Sequence, residues 1–533
     1  MHFLGSCVER TMRSDRVAII GGGIGGLAAA AALATHGLDV SLYEALPHLG
    51  GKIRRLPPQT TSDAQAATQL PEIDTGPTVF TMRWVFEELF AEAGTSLASH
   101  LDLTPLDVLA RHGWRTSATL DLFADAARSE EAIGQFAGAA EARGFRRFCE
   151  RAARVYGHLD ETFMRQPEPR FDKLAFNLAF RPTALWDISP YTTLWSALGA
   201  FFSDPRLLQL FGRYATYCGS SPFSAPATLM LVAHVEQCGV WRIAGGMSAL
   251  AHAVAALARE KGARIATSAP VAEILCDRDG VTGLKLASGE VVEADAVICN
   301  GDIAGLASGG LGTEAQRLVR PGARDERSLS ALTWVLTART GGFPLSRHNV
   351  FFSDDYRSEF DDIFGRRALP RAPTIYLCAE TRDGHADDSM EADDRLLCLV
   401  NAPADGDRQT ISDEDIAQCR KTVERRLEAQ GLDLEVTSAW SLTGSPQIFD
   451  RMFPATGGAL YGPATHGWSA SFARAGSRTR LPGLYLAGGS VHPGPGVPMA
   501  ALSGRMAAAQ LMADLTLRKR FHPTATRGGT STR

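Results

Sequence analysis

The sequence predicts a mixed α/β fold in which both ends of the chain contribute to one parallel sheet. The first observation is a strand, a glycine-rich turn, a helix and a second strand in residues 17–44. The second is a strand, a glycine- and proline-rich loop and a helix in residues 481–515. The third is a β-meander in residues 264–299, which ends in a buried strand. Strands that alternate with helices in this way are typical of parallel sheets with helices packed on them.

The first unit contains a G-x-G-x-x-G pattern between its buried strand and an alanine-rich helix. In this pattern the first glycine makes a tight turn, the second lets the backbone approach a pyrophosphate, and the third lets helix and strand pack closely. The start of the helix offers free N–H groups and a partial positive charge to the same pyrophosphate. An acidic residue at the end of the second strand can bind the hydroxyls of an adenosine ribose. The unit therefore predicts a Rossmann-like dinucleotide site, with cofactor contacts from Gly21, Gly23, Ile24, Gly25, Gly26 and Glu44.

The residues that follow the second strand distinguish between dinucleotides. Residues 45–54 read ALPHLGGKIR, and NAD-binding units seldom need a Gly-Gly pair at this point. The segment resembles the amino-terminal fingerprint of FAD-binding oxidoreductases, in the branch that contains amine oxidases and carotenoid desaturases. In that branch the Gly-Gly turn and a following basic residue lie along the diphosphate and the flavin, and a D-x-G-P-T segment passes beside the isoalloxazine ring. The resemblance implies cofactor contacts from Gly50, Gly51, Lys52, Arg54, Gly76, Pro77 and Thr78.

The closing unit predicts a second side of the same cofactor site. Its buried strand ends in glycines, and the loop VHPGPGVPM leads into a helix in which a proline suits the first turn. A helix start aimed at the pyrimidine edge of a flavin would stabilise the anionic reduced ring. In flavoproteins of this branch, a residue at the start of the meander also contacts the adenine through its backbone. The expected contacts are Gly488, Gly489, Val497, Pro498, Met499 and Val271.

The order of these units predicts an amine-oxidase-like flavoprotein architecture, in which a substrate domain is inserted into a discontinuous FAD-binding domain. We expect the FAD-binding domain to comprise residues 16–84, 242–302 and 476–516. A helix is predicted from Arg83 to Ala93 and is expected to leave this domain. The substrate domain, with membrane-docking helices, is expected to comprise residues 85–241 and 303–475.

Composition and charge are those of an ordinary globular protein and give no sign of nucleic-acid binding. The 533 residues are 45% hydrophobic and 21% charged, and the net charge is −5. Nine scattered cysteines without a C-x-x-C pair argue for a reduced compartment and against a disulfide framework or a metal site. No apolar run is long enough to predict a spanning helix. Residues 1–15 and 517–533 are expected to be disordered tails, and Met12 is an alternative to Met1 as the first residue.

Residues 85–241 are predicted to be mostly helical and carry many bulky side chains. A helical core accounts for most of them, but as a group they also suit a long apolar cavity or a membrane-facing surface. We therefore hypothesise that this region docks the protein on a membrane. Its aromatic residues include Phe145, Phe148, Phe163, Phe176, Phe180, Trp186, Tyr191, Trp195, Phe211, Tyr214 and Tyr217.

Four stretches identify a family resemblance. They are RVAIIGGGIGGLAAAAAL, YEALPHLGGK, DTGPTVFT and LYLAGGSVHPGPGVPMAALSGRMAAAQLM, and a glycine-rich segment from Asp450, DRMFPATGGALYG, extends the match towards the centre. They resemble the bacterial phytoene-desaturase-type carotenoid dehydrogenases, whereas the middle of the chain matches only in general character. General phytoene desaturases usually read closer to THPGAGIP in the last loop. The SVHPGPGVPM of this chain is similar to the hydroxycarotenoid 3,4-desaturases of purple bacteria, also called methoxyneurosporene dehydrogenases.

This resemblance implies an FAD-dependent enzyme that introduces a 3,4 double bond into an acyclic hydroxy- or methoxycarotenoid, such as a neurosporene derivative. Desaturation removes a hydride, which flavin N5 can take, and a proton from the adjacent carbon. A C40 polyene buries dozens of CH groups at about 0.8 kcal/mol each, so we expect it to pass directly from lipid into an apolar tunnel. The expected location is the bacterial cytoplasm, on the surface of the inner, photosynthetic membrane, with oxygen or a quinone as electron acceptor.

The sequence offers few candidates for the residue that handles the proton. No Ser–His–Asp pattern, His/Cys cluster or paired carboxylate stands out. His492 is the candidate catalytic residue, because the resemblance places it beside the flavin, and a structural loop histidine is the alternative. Asp74 and Asp302 are weaker candidates.

Several other interpretations remain open at this point. One is a phytoene desaturase proper, and another is a flavin amine oxidase with an aromatic cage around a soluble amine. A third is a non-catalytic relative that carries prenyl groups. Such relatives depart from the flavin-enzyme pattern, whereas the three glycines of the first turn are intact here.

Overall fold

The computed structural model describes residues 15–56, 72–115, 118–169, 186–189, 191–318, 326–383, 393–409 and 411–521. Most of the two expected tails, and Phe176 and Phe180 of the hypothetical membrane dock, lie outside the described residues. The closing helix runs from Val497 to Phe521, so residues 517–521, which were expected in the tail, continue this helix.

A five-stranded parallel sheet joins the two ends of the chain. Each pair of neighbouring strands is parallel, and the strand of the closing unit lies beside the strand that ends the meander. The first strand of the chain lies on the other side of that meander strand, at the centre of the sheet. In spatial order the strands are Leu484–Leu486, Ala296–Cys299, Arg16–Ile20, Asp39–Tyr43 and Arg264–Ala266.

The two faces of this sheet are covered differently. Alternate residues of a strand point to opposite faces, so Val17 and Ile19 pack against helices while Ala18 and Ile20 pack against the meander. The helices are Ile24–Thr35, Trp84–Glu92, Met247–Glu260 and Val497–Phe521. The meander strands are Val271–Asp277, Gly280–Leu286 and Val291–Glu293.

The helix Trp84–Glu92 packs differently from the expectation that it leaves the nucleotide-binding half. Its residues Val85, Phe86, Leu89 and Phe90 are buried at helical spacing in the core of the parallel sheet. The chain therefore passes to the other half of the molecule only after this helix.

The second half is built on a mostly antiparallel sheet of eight strands. In spatial order seven of them are Leu432–Val436, Ser330–Gly342, Asp394–Ala402, Ile375–Ala379, His348–Phe351, Val108–Gly113 and Thr119–Phe123, and Ser441–Gly444 also pairs with Ser330–Gly342. The strands Val108–Gly113 and Thr119–Phe123 lie in a region predicted to be mostly helical. The strand Val108–Gly113 lacks a clear alternation because all six residues are buried, including Arg111, which bonds Asp121 of the other strand.

Helices cover this sheet and fill the rest of the second half. Among the described residues, no helix combines the length and the apolar character needed to cross a bilayer. Two short antiparallel pairs, Arg55–Leu56 with Ile73–Asp74 and Leu103–Pro105 with Trp241–Ile243, complete the sheets. The α-helices of this half are Ala126–Ala137, Ala139–Leu159, Leu194–Leu198, Pro205–Gly212, Leu231–Gln237, Tyr356–Phe360, Asp413–Ala429, Pro446–Met452 and Ala470–Ala473. Two more helices, Ile303–Ala307 and Thr313–Leu318, pack beside the meander through Leu306 and Ala315.

Candidate active site

One cavity of about 1170 Å³ is lined by residues of both halves of the molecule. Eighteen of the nineteen expected cofactor-binding residues line it. They are Gly21, Gly23, Ile24, Gly25, Glu44, Gly50, Gly51, Lys52, Arg54, Gly76, Pro77, Thr78, Val271, Gly488, Gly489, Val497, Pro498 and Met499. Gly26 lies behind the wall, where a Cβ would come within 2.1 Å of the carbonyl oxygen of Gly21. Gly26 thus has the helix-packing position of the third glycine.

Three glycine-containing segments stack on one another at the wall of the cavity. Gly50 donates its N–H to the carbonyl oxygen of Gly22 at 2.8 Å, so the Gly-Gly turn lies against the first turn. The backbone of Gly76 lies directly against the residue after the Gly-Gly turn. A Cβ at Gly76 would be 2.0 Å from the carbonyl oxygen of Lys52. Side chains would separate these backbones. Glycine therefore lets three backbone segments approach each other and the cavity.

Glu44 is held by the backbone of the first turn. Its two carboxylate oxygens accept N–H bonds from Gly22 at 2.6 Å and from Leu46 at 2.8 Å, and its side chain is buried at the cavity wall. Each carboxylate oxygen has a second lone pair that can accept a hydroxyl. This arrangement suits the two hydroxyls of a ribose.

Asn300 joins the two ends of the chain, and sequence reasoning did not single it out. It follows the strand Ala296–Cys299, lines the cavity and donates from Nδ2 to the carbonyl oxygen of Gly21 at 3.1 Å. Its Oδ1 occupies the space that a Cβ at Gly25 would enter, at 2.5 Å, and lies near Gly488. Its position at the carboxyl end of a parallel strand, where such sheets bind ligands, was the available signal.

The cations in the wall are bonded mainly to backbone carbonyl groups. Lys52 donates to the carbonyl oxygen of Leu460 at 2.6 Å, and Arg54 donates to that of Thr443 at 3.1 Å. Burial lowers the pKa of both groups. Arg474, which was also missed, is buried and donates to the carbonyl oxygens of Tyr461, Pro463, Gly489 and Ser490. It joins the closing glycine loop to the segment before it.

The residues of this part of the cavity fit FAD. The stacked glycines leave a cradle that any Cβ would fill, and Glu44 can hold a ribose. Two helices begin at the wall, at Ile24 and at Val497, with first-turn N–H groups that have no helical partner. Such helix starts stabilise a diphosphate and a negatively charged ring.

The rest of the cavity is an apolar arm that reaches the protein surface. Leu159, Phe163, Leu229 and Val232 are among the residues that line it. Two more lining residues, Tyr191 and Trp468, are 81% and 41% exposed, and their ring centroids are 5.6 Å apart. Trp186, near Tyr191 in sequence, is 80% exposed. We call Trp186, Tyr191 and Trp468 the aromatic mouth.

A chain of hydrogen bonds leads from the D-x-G-P-T segment into the eight-stranded sheet. The hydroxyl groups of Thr78 and Tyr376 are 2.6 Å apart, and the Tyr376 hydroxyl is 2.7 Å from Nδ1 of His348. Burial, assisted by the positive charges of Arg347 and Arg213, lowers the pKa of His348 to about 3. The histidine is therefore neutral and orients the tyrosine hydroxyl at the cavity wall.

The structure does not bring His492 into the cavity lining. Its ring is fully buried, its Nε2 lies 2.9 Å from the carbonyl oxygen of Phe163, and the two rings meet edge to face. Asp74 also lies outside the lining, where it accepts the N–H of Met247 at 2.7 Å. Asp302 does line the cavity, but its carboxylate caps the helix Ile303–Ala307. These hydrogen bonds of the three residues all go to the protein backbone.

Comparisons with known proteins agree with this architecture. Residues 24–512 match the family model of flavin-containing amine oxidoreductases. The chain is 50% identical to a hydroxyneurosporene desaturase of Rubrivivax gelatinosus, over 98% of both chains. It is 43% identical to a hydroxyneurosporene desaturase of Cereibacter sphaeroides, over 95% of this chain and 99% of that one. Among solved structures, putrescine oxidase bound to putrescine is similar with a TM-score of 0.58 at 16% identity, over 94% of this chain and 99% of that one.

Proposed function

The chain belongs to the carotenoid desaturases of the flavin-containing amine oxidoreductase family, and we propose that its substrate is an acyclic hydroxy- or methoxycarotenoid such as a neurosporene derivative. The proposed reaction is the introduction of a 3,4 double bond. One observation supports this proposal most directly. The FAD cradle and an apolar arm that opens at the surface are parts of the same cavity. A long hydrocarbon can enter such an arm by one end and bring a bond near its terminus to the cofactor.

In this proposal the residues of the chain bind and orient, while the cofactor supplies the oxidising power. When bound, FAD would supply the two-electron oxidation: the hydride of one carbon would pass to it, a proton would leave the neighbouring carbon, and oxygen or a quinone would reoxidise it. Glu44 would hold the ribose, and the helix start at Val497 would favour negative charge on the ring. Thr78 and Tyr376 present hydroxyl groups at the wall and help to fix the substrate.

We further propose that the protein takes its substrate from a membrane surface. Exposed aromatic side chains with one polar edge favour the boundary between lipid and water. Tyr191 and Trp468 have this character and line the cavity, so docking through the aromatic mouth would connect the arm with the bilayer. In the source bacterium this surface would be the inner, photosynthetic membrane.

The test is an assay with purified protein, FAD and liposomes that contain one carotenoid each. Hydroxyneurosporene, neurosporene and phytoene are supplied separately, and the absorption spectrum is followed. A shift of the hydroxyneurosporene bands to longer wavelength supports the proposal, since each added double bond lengthens the chromophore. Conversion of phytoene alone would instead make the protein a phytoene desaturase.

The same preparation separates the remaining alternatives. Hydrogen peroxide produced from amines, without any change in the carotenoids, would show an amine oxidase. A protein that stays colourless after incubation with FAD would point to a carrier without flavin chemistry. Either result would contradict the proposed function.

A further inference from the structure

A buried arginine is the least expected residue in the wall of the apolar arm. Arg213 begins the 3-10 helix Arg213–Cys218, lines the cavity and is only 7% exposed. One of its nitrogens donates to the hydroxyl of Tyr217 at 2.9 Å. Its Nε and Nη2 have no hydrogen-bond partner among the described residues. Two nitrogen atoms of a charged group therefore lack an acceptor, in a residue that lines the cavity.

Behind this arginine lies a fixed set of hydrogen bonds. The hydroxyl groups of Tyr217 and Tyr214 donate to the two carboxylate oxygens of Glu236, at 2.8 and 2.5 Å. The guanidinium also lies over both tyrosine rings, with its central carbon 5.0 Å from the centroid of Tyr217 and 5.5 Å from that of Tyr214. The hydrogen bond and the ring contact with Tyr217 hold the guanidinium of Arg213 in place.

A second available donor lies close to the first. Tyr356 lines the same cavity, is 4% exposed, and its hydroxyl has no hydrogen-bond partner in the described part of the chain. Burial and the neighbouring Glu359 raise the pKa of Tyr356 well above its usual value, while the charge of Arg213 opposes them. The hydroxyl thus keeps its proton and can donate it. Trp195 links the two residues: its ring centroid is 6.1 Å from that of Tyr356, and its ring would be 3.3 Å from a Cβ at Gly212, the residue before Arg213.

In a tunnel that bound only hydrocarbon, these donors would have no acceptor on the ligand. A buried N–H or O–H without an acceptor is unfavourable, and a charged donor more so. A hydrocarbon end beside these donors would leave them unpaired, whereas an oxygen atom on the chain end could accept from them.

The position of the donors also fits the reacting bond. The charge of Arg213 contributes to the lowered pKa of His348. The His348 ring is hydrogen-bonded to Tyr376, and the Tyr376 hydroxyl is hydrogen-bonded to Thr78, in the segment expected beside the flavin. Arg213 and Tyr356 line the same cavity as Tyr376 and Thr78. A 3,4 bond is itself only a few carbons from the end of the carotenoid. An oxygen held at the donors would leave that bond within reach of the ring.

We propose that Arg213 and Tyr356 bind the terminal oxygen of the carotenoid and so make the enzyme specific for hydroxylated or methoxylated chain ends. A hydroxyl and a methoxyl oxygen can both accept from these donors. This inference rests on the proposed function and adds to it the residues that select the substrate. The same contact fixes the distance between the chain end and the bond that reacts.

The experiment compares Y356F and R213M with a matched control, Y214F. Tyr214 is buried and bonded to Glu236 like Tyr217, but its side chain does not line the cavity. For each FAD-loaded protein, kcat/KM and Kd are measured with hydroxyneurosporene and with neurosporene in the same liposomes. The Kd is read from the carotenoid absorption change with the flavin reduced, under anaerobic conditions, so that no turnover occurs. We expect the preference for the hydroxylated substrate, in kcat/KM and in Kd, to fall about tenfold in Y356F and further in R213M, because each loses a donor to the oxygen. In Y214F the preference should stay that of the wild type.

The outcomes separate this inference from the function on which it rests. If the wild-type protein desaturates hydroxyneurosporene but Y356F and R213M, both folded and carrying FAD, keep its preference, the inference is wrong and the proposed function stands. If the wild-type protein desaturates no carotenoid, both are wrong. An equal loss of preference in Y214F would show a general effect of the cluster and would also contradict the assignment.

Discussion

The ammonium group of Lys52 lies 2.6 Å from the backbone carbonyl oxygen of Leu460, at the wall of the FAD cradle. No carboxylate of the described residues forms an ion pair with it. Burial lowers the pKa of Lys52, the charge of Asp302 acts in the opposite direction, and that of Arg474 acts in the same direction as burial. A buried cation that faces a cofactor cradle without a paired carboxylate is well placed to stabilise negative charge on the cofactor.

Replacement of Lys52 by Met should therefore weaken FAD binding. A charge-assisted contact contributes about 1.5–3 kcal/mol, so the Kd of the apoprotein for FAD should rise by roughly one to two orders of magnitude. Flavin fluorescence during a titration of the apoprotein measures this. The control is K285M, which changes an exposed lysine on the meander. Unchanged FAD affinity in K52M would show that Lys52 donates to the carbonyl oxygen of Leu460 but does not stabilise bound FAD.

Replacement of Gly25 by Ala should disrupt the junction of the two chain ends. The new Cβ would lie 2.5 Å from Oδ1 of Asn300 and 2.7 Å from the carbonyl oxygen of Ala500. Both are fixed in the cradle, so we expect purified G25A to retain little FAD and to melt at a lower temperature. Gly157 is the matched control, because it is also helical but a Cβ added there would meet no other atom within 4 Å. G157A should keep its FAD and gain up to about 1 kcal/mol of stability.

The cradle could be predicted from the sequence because its signals are local. The glycines of the first turn, the Gly-Gly pair and the D-x-G-P-T segment each require a close backbone approach, which short motifs record. Asn300 and Arg474 could not be predicted in the same way. The role of Asn300 depends on Gly21 and Gly25, far away in sequence, and Arg474 has mainly backbone acceptors, which leave no residue pattern.

The substrate half was harder to predict for a related reason. The strand Val108–Gly113 carries Arg111 and His112 in buried positions, so hydrophobic alternation does not reveal it. Its register is set by long-range pairing with His348–Phe351. Arg213 and Tyr356 likewise come from segments far apart in sequence, and only the folded protein places both of them in the wall of one cavity.

Replacement of Arg474 by Met should destabilise the closing loop. This buried guanidinium donates to carbonyl groups on both Pro463 and Ser490, and its removal leaves those acceptors without partners. An unsatisfied buried group costs about 1–3 kcal/mol. The free energy of unfolding, measured in urea, should therefore fall by roughly 2 kcal/mol or more. R480M, at an exposed arginine nearby, should change it by less than about 0.5 kcal/mol. Equal stability of the two variants would contradict the proposed structural role.

His492 should make the protein sensitive to acid. Burial lowers its pKa to about 4 from the ordinary 6.5, against the opposing hydrogen bonds to the backbone of Phe163 and Gln166. Between these values the unfolded chain binds a proton that the folded protein excludes, so stability is lost as the pH falls from 6.5 towards 4. In H492Q, which can still donate to Phe163, the loss between pH 7 and pH 5 should be smaller by roughly 2 kcal/mol. Urea unfolding at the two pH values measures it.

The same variant tests whether His492 handles a proton. Because its ring lies outside the cavity lining, H492Q should desaturate carotenoids at a rate of the same order as the wild type, per bound FAD. A loss of several orders of magnitude with FAD retained would restore the histidine as the catalytic residue. H48Q, at an exposed histidine, is the control for both measurements.

Removal of the aromatic mouth should weaken membrane binding and leave FAD binding unchanged. The triple variant W186S, Y191S and W468S loses three exposed aromatic side chains, and burial of each in the lipid interface would stabilise binding by about 1–3 kcal/mol. We therefore expect at least a tenfold weaker binding to liposomes in a sedimentation assay, with the FAD spectrum unchanged. V291S, which removes an exposed apolar side chain from the meander, should bind as the wild type does. If the triple variant and the wild type sediment equally with liposomes, the membrane contact lies elsewhere on the protein.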